Sequence, residues 1–336
     1  MYKNIVLLFL AVVIFQSCTS NKTVSKYITN DGSIYSTFYH ITYESPDGAD
    51  LQKEIDATLH ELDLSLSTFK TESVLSKVNT NQPVVLDEYF INVFTKSLEI
   101  SALTNGAFDA TVAPLVNVWG FGFRKKETVT PALIDSIKHF VGYHKVRLEE
   151  GKVVKDDERI MLDFSAIAKG YTVDVVGNML RAKGCKNYMV EIGGEVVAYG
   201  VNKEGNVWRI GINEPNDNEP ASPVSLHAII SLNNKAVATS GNYRNFYVEN
   251  GKKYAHTINP FTGYPVDHTL LSATVLADDC MTADAYATAL MVLGVDDAFK
   301  LAQTIKTIEV YLIYHDETGE NSVVMTKGFE QYILTE

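Results

Sequence analysis

Ala277-Asp-Asp-Cys-Met-Thr-Ala-Asp-Ala-Tyr-Ala-Thr-Ala-Leu-Met-Val-Leu-Gly294 is the stretch around which the chain is organised. Ala283, Ala285, Ala287, Ala289 and Leu290 are strong helix formers, Thr282 suits an N-cap and Gly294 a C-terminal stop, which predicts one helix over residues 282–293. Asp284 and Thr288 then stand four residues apart and stack a carboxylate above a hydroxyl on one face. Two hard oxygens converging there can hold Mg²⁺, with carbonyls, water or phosphate completing its shell. A second reading assigns both residues to the helix itself: Asp284 faces the N-terminal dipole, and Thr288 bonds back to the carbonyl one turn earlier. Pattern alone leaves the two readings open.

With 336 residues and 46% hydrophobic content, the chain can form one large domain or two lobes around a sizeable core. A formal net charge of -12 argues against a nucleic-acid partner or a polybasic membrane surface. It leaves room for a phosphorylated ligand, since a metal or a few cations can reverse the sign inside a cleft.

Residues 1–18 read as a targeting segment: Lys3 supplies the charged start, Ile5 to Phe15 an apolar run, and Ser17-Cys18 a processing point. The arrangement resembles a bacterial lipoprotein signal, in which Cys18 becomes the lipid-modified N-terminus. That implies a chain anchored to a bacterial membrane and facing the periplasm. Residues 19–32, rich in Thr, Ser, Asn and Lys, read as a tether, and residues 33–336 as the folded domain. Cys185 and Cys280 show no metal spacing and read as core residues.

Along the domain, Tyr35 to Tyr43 reads as a strand, Leu51 to Leu62 as an amphipathic helix, 66–79 as a loop and short helix, and Glu88 to Leu103 as a second helix. The aromatic, glycine-rich segment 106–123 could stack on a flat ligand through Trp119 and Phe121, or bury them in an irregular corner. Thr130-Pro131 opens a further helix. A hairpin over 145–155 and a strand over Arg159–Phe164 lead to Asp163-Phe-Ser-Ala-Ile-Ala-Lys-Gly-Tyr, a strand-to-helix junction suited to an anionic ligand. There Asp163 could equally be an ordinary cap and Lys169 a solvated face. Glu191-Ile-Gly-Gly-Glu195 reads as a bulge or close backbone approach, followed by strands near 207–212, 225–232 and 236–239. Arg244 could clamp a phosphate or form a surface ion pair. His256, closing the strand 253–258, is a structural donor or a proton acceptor.

The ordered set Leu-Ser-Thr-Phe at 66, Gly-Ala-Phe-Asp…Trp-Gly-Phe-Gly at 106, Asp…Ala-Lys-Gly-Tyr at 163, Gly-Gly-Glu at 193, Ala-Thr-Ser-Gly-Asn-Tyr-Arg at 238, His-Thr-Ile-Asn-Pro-x-Thr-Gly-x-Pro at 256 and Ala-Asp-Ala-x-Ala-Thr-Ala at 283 resembles the ApbE family. The resemblance runs over about residues 33 to 325 and implies an α+β fold, with mixed sheets, flanking helices and a cleft between two lobes. Members are FAD:protein FMN transferases. By position, Ala107, Phe108, Asp109, Asp163 and Lys169 match flavin-nucleotide contacts and Ile258 adds a backbone contact; Phe69, packing on the flavin, and Arg244, on a phosphate, complete the cofactor-binding set. Ala166 through its carbonyl, with Asp284 and Thr288, matches the Mg²⁺ ligands, and His256 the proton acceptor. The implied reaction moves FMN from FAD to a Thr or Ser hydroxyl of an exported or membrane redox protein, releasing AMP. Implied acceptors carry an Asp-x-x-Thr/Ser-Gly-Ala-Thr type motif, as in quinone reductase subunits. An FAD pyrophosphatase and a non-catalytic flavin-binding lipoprotein are the competing functions. The chain departs from the family at Tyr35-Ser36 (commonly Met-Gly), Ser165-Ala166 (Gly-Gly), Asn259 (Asp) and Phe69 (Tyr).

Overall fold

Leu270-Leu-Ser-Ala-Thr-Val-Leu-Ala277 is buried at every position, and this run is the middle of the protein. The computed structural model describes residues 25–123, 126–215, 225–242, 246–249 and 251–334. In chain order it contains β1 (Lys26–Ile34), β2 (Thr37–Ser45), α1 (Gln52–Leu66), α2 (Val74–Asn79), α3 (Glu88–Leu103), α4 (Ala113–Val118), α5 (Pro131–Lys138), β3 (Val146–Glu149) and β4 (Lys152–Lys155). There follow α6 (Ala168–Ala182), β5 (Tyr188–Ile192), β6 (Glu195–Tyr199), β7 (Trp208–Asn213), β8 (Leu226–Leu232), β9 (Lys235–Gly241), β10 (Phe246–Glu249) and β11 (Lys252–Ala255). The buried run is β12 (Leu270–Ala277), and α7 (Cys280–Leu293), α8 (Val295–Thr304), β13 (Glu309–His315) and β14 (Asn321–Met325) complete the set.

Eight strands form one sheet in the order β1-β2-β5-β6-β9-β12-β13-β14, and each of its ladders is antiparallel. Strand β12 lies between β9 and β13 and is covered on both faces, so its residues are apolar or small without alternation. Helices α6 and α7 pack on one face. On the other, Trp208, Ile212, Ile230 and Leu232 of the β7–β8 hairpin meet Val196, Val237 and Leu276 of the sheet. The expected α+β architecture is observed.

Helix α7 is apolar around most of its circumference because it is surrounded, by the sheet, α3, α6 and α8. Its crossing with α6 is close enough to require glycine: a Cβ on Gly170 would lie 2.2 Å from the Cys280 carbonyl oxygen and 2.8 Å from Asp284 Cβ. The N-terminus of α7 is capped twice. Asp279, not Thr282, is the N-cap and accepts from the Thr282 amide, so the helix starts two residues earlier than predicted. Asp174 of α6 accepts from the Cys280 and Met281 amides, each at 2.8 Å. Gly294 ends the helix with φ 75°, as expected. Cys185 and Cys280 are buried free thiols, and burial pushes the Cys280 thiol well up.

Several expectations are corrected. Residues 26–32, expected in the tether, belong to β1, which borders the sheet; its polar composition reflects an edge with one side in water. Tyr35 and Ser36 are not strand but the two-residue tip of the β1–β2 hairpin, with φ 52° and 59°. The strand expected over Arg159–Phe164 reduces to one parallel bridge between Met161 and Val112. The Gly193-Gly194 pair is a two-residue hairpin tip, φ 65° and 105°, not a bulge. Within 106–123, residues 113–118 are helical. Residues 1–24, with Cys18, lie outside the described residues, as does Arg244. No helix among the described residues is long and apolar enough to cross a membrane.

Burial pushes the Asp174 carboxyl up to about 7, although the two α7 amides pull the other way. The folded state therefore keeps a proton that the unfolded chain releases near pH 4, and this group's contribution to stability falls as pH rises from about 4 to about 7. Asp174→Asn is expected to flatten that slope, read as the urea midpoint against pH.

Candidate functional site

One cavity of about 1140 Å³ opens beside the α6–α7 crossing. Every candidate side chain lines it except Arg244 and Cys18, which lie outside the described residues: Phe69, Ala107, Phe108, Asp109, Asp163, Ala166, Lys169, His256, Ile258, Asp284 and Thr288. They come from five separate stretches of sequence, so it is the fold that makes them neighbours.

The floor is electrostatic. Asp284 is 4% exposed, and its Oδ2 accepts from the Gly170 amide at 2.9 Å, in the first turn of α6. That amide is one of the donors a helix start leaves unbonded, so α6 orients Asp284 through it. Oδ1 lies 3.7 Å from Lys169 Nζ. Lys169 in turn donates to Glu195 Oε1 at 2.8 Å. Burial works against the ammonium, but Asp284 and Glu195 outweigh it and hold Lys169 above the ordinary lysine value. Burial pulls the Glu195 carboxyl the other way, up from the carboxylate range, with Lys169 opposing. Lys169 is thus no solvated helix face.

Among the described residues, no cluster of three or more His, Cys, Asp or Glu side chains is arranged to hold a metal. The candidate set is of another kind, Asp284, Thr288 and Ala166, three residues that line one cavity and carry a carboxylate, a hydroxyl and a backbone carbonyl. The hydroxyls of Thr104 and Thr172 bond back to the Ile100 and Ala168 carbonyls at 2.8 Å. No such bond ties Thr288 among the described residues, so its oxygen stays available and the helix-internal reading loses its support. An all-oxygen set of one anion and neutral donors fits a hard cation such as Mg²⁺.

Asp109 is built in as structure. Its Oδ1 accepts from the Thr111 amide and hydroxyl at 2.8 and 2.7 Å, and its Oδ2 from the Tyr143 amide at 2.8 Å. With both oxygens used inside the chain, the carboxylate shapes the loop that presents Ala107 and Phe108. Burial pushes its carboxyl up, against those donors. Asp163 Oδ1 caps the Ser165 amide at 2.8 Å, fixing the turn that carries Ala166.

The opposite wall is a compound turn. Asn259 Oδ1 accepts from the Phe261 and Thr262 amides, and the Gly263 carbonyl accepts from Trp119 Nε1 at 2.8 Å. Trp119 is therefore core, as one of the two readings held. Phe121 instead reaches the cavity and meets the His256 ring edge-on, centroids 6.4 Å apart. At the mouth, Phe69 is 75% exposed on a loop pinned by Ser73 and Ser76, whose hydroxyls donate to the Ser67 carbonyl, and by the Lys70–Asp63 ion pair at 2.6 Å.

Glu195 was in none of the sequence-derived site sets. The signal for it was the Gly-Gly pair: read as a hairpin tip, it delivers the following residue to the cavity. Tyr35 and Ser36 line the cavity for the same reason, their own tip lying beside it.

The ApbE family model matches residues 35–312. The chain is 37% identical to the FAD:protein FMN transferase of Haemophilus influenzae, covering 94% of this chain and 95% of that one. Its fold is similar to the flavin transferase ApbE from Vibrio cholerae, with a TM-score of 0.82 and 34% identity over 92% of this chain and 100% of that one. The Pseudomonas stutzeri flavinyl transferase ApbE, in its apo form, gives a TM-score of 0.82 at 32% identity over 92% and 97%.

Asp109→Ala would leave three buried donors without an acceptor. It is expected to lower unfolding stability by about 2–4 kcal/mol, measured by urea denaturation.

Proposed function

The chain belongs to the ApbE family, and on that footing we propose that it is an FAD:protein FMN transferase that moves FMN from FAD to a Thr or Ser hydroxyl of an acceptor protein, with AMP as the leaving group. The observation that carries the reading is the convergence of His256, Lys169, Asp284, Thr288 and the Ala107–Phe108 loop on one cavity large enough for a dinucleotide.

Transfer forms a bond from the acceptor oxygen to the phosphorus on the FMN side and breaks that phosphorus from the bridging oxygen, which leaves with AMP. A neutral hydroxyl attacks poorly, so a base that takes its proton is needed; the His256 imidazole, at the cavity wall, fills that role. Lys169 supplies a fixed positive charge for the pyrophosphate, and the backbone of the Ala107–Phe108 loop and Ile258 bracket the nucleotide. Asp284, Thr288 and the Ala166 carbonyl would hold Mg²⁺, which neutralises phosphate charge when bound. Phe69 offers an exposed aromatic face to the flavin ring and covers the approach of water, which favours transfer to a hydroxyl over hydrolysis to FMN and AMP.

The apolar run ending at Cys18 supports a lipid anchor on a bacterial membrane with the domain facing the periplasm. Acceptors are then exported or membrane redox proteins carrying a Thr or Ser flavinylation motif.

Incubation with FAD, Mg²⁺ and such an acceptor tests the reading by mass spectrometry. FMN mass on a Thr or Ser is expected, while free FMN with AMP alone would assign a pyrophosphatase and unchanged FAD a carrier. Asp284→Ala is expected to abolish transfer. His256→Ala should slow it by about 10²–10⁴-fold while FAD still binds, measured by flavin fluorescence. Phe69→Ala should leave the melting temperature within about 2 °C, the side chain being exposed, yet weaken FAD binding.

A further inference from the structure

We infer that Glu195 is a positioning residue for the cation site: it holds the Lys169 ammonium off Asp284, so that Asp284 Oδ1 stays open to a divalent ion. The inference rests on the Mg²⁺ reading above and adds to it a residue outside the ligand set.

Of the two Asp284 oxygens, Oδ2 is taken by the Gly170 amide. Oδ1 is therefore the oxygen for which a metal ion and the Lys169 ammonium compete. The ammonium is 3.7 Å from it, beyond hydrogen-bond range, and 2.8 Å from Glu195 Oε1. Attraction falls with distance, so the nearer carboxylate decides where the ammonium rests. At the floor, Asp284 and Glu195 both face the single ammonium of Lys169, and it is the nearer one that holds it.

Glu195 is a costly way to fill its position unless the charge is used. It is 4% exposed, and its Oε2 is buried without a hydrogen-bond partner among the described residues. A residue serving packing alone would leave no orphaned carboxylate oxygen. The backbone fixes it, too. Glu195 directly follows the Gly193-Gly194 tip, and a Cβ on Gly193 would lie 2.9 Å from the Thr37 side chain and 3.5 Å from Glu195 Oε2. Gly193 therefore stands within contact range of the carboxylate, and a side chain there would run into Thr37.

Mn²⁺ binding to the FAD-free full-length chain, followed by the electron paramagnetic resonance of free Mn²⁺, separates this role from a structural one. Glu195→Gln is expected to weaken Mn²⁺ binding by about tenfold or more, the scale on which one charge at this range shifts its partner. Adding Lys169→Met to it is expected to restore binding to within about threefold of the starting chain, because the competing cation is gone. Glu195→Asp, which keeps the charge, gives a second reading: its loss should be smaller than that of Glu195→Gln. Unchanged binding in Glu195→Gln overturns the inference. So does a loss that Lys169→Met does not relieve, which would make Glu195 a ligand or a fold support. Asp284→Ala marks the site: if the unmodified chain takes up no Mn²⁺, or Asp284→Ala takes it up equally, the Mg²⁺ reading itself fails and the inference with it. If Asp284→Ala loses Mn²⁺ and Glu195→Gln does not, only the inference falls.

Discussion

The contact on which the molecule turns is the crossing of α6 and α7 at Gly170. There the Gly170 amide reaches Asp284 Oδ2, and the Cys280 carbonyl comes so near that no side chain fits between. A larger residue would spread the helices and in the same motion pull Asp284 from its donor. Stability and chemistry are thus set by one distance. Asp174 reinforces it from the far side of the same crossing, tying the first amides of α7 to α6. Around this pair the sheet acts as a rigid backing, with β9 and β12 directly behind α7.

The cavity divides its labour by burial. Its floor, Asp284 and Glu195, is almost inaccessible, where charges act strongly on one another. Its rim is made of turns, each tied down by its own local donors and acceptors: Asn259 for the turn after His256, Ser73 and Ser76 for the loop bearing Phe69. The rim can hold its geometry without being packed from both sides.

Much of this was legible in the sequence, for reasons that differ by element. Helix α3 is read to the residue because its apolar periodicity runs from Glu88 and Asn105-Gly106 stops it, and the structure adds the Asp87 cap. Strand β12 escaped because, covered on both faces, it lacks the alternation that marks a half-exposed strand. Strand β1 failed in the opposite sense, its exposed edge being polar enough to pass for a tether. The site residues stand in short motifs that survive as local signals. Their partnerships do not: Gly170 is 114 positions from Asp284 and Lys169 is 26 from Glu195, distances over which only the completed fold decides proximity. Asp109 shows the converse. Its motif marks it as a cavity residue, and it lines the cavity, but the motif gives no sign that its oxygens also accept from Thr111 and Tyr143.

The hairpin tip at Tyr35-Ser36 carries one more consequence. Both residues have left-handed backbone conformations without the freedom of glycine, and the Tyr35 hydroxyl is fastened to Thr172 of α6 at 3.2 Å. That bond ties the tip to the helix that also carries Lys169. The position of α6 at the cavity floor and that of the hairpin tip at its rim are thereby set together.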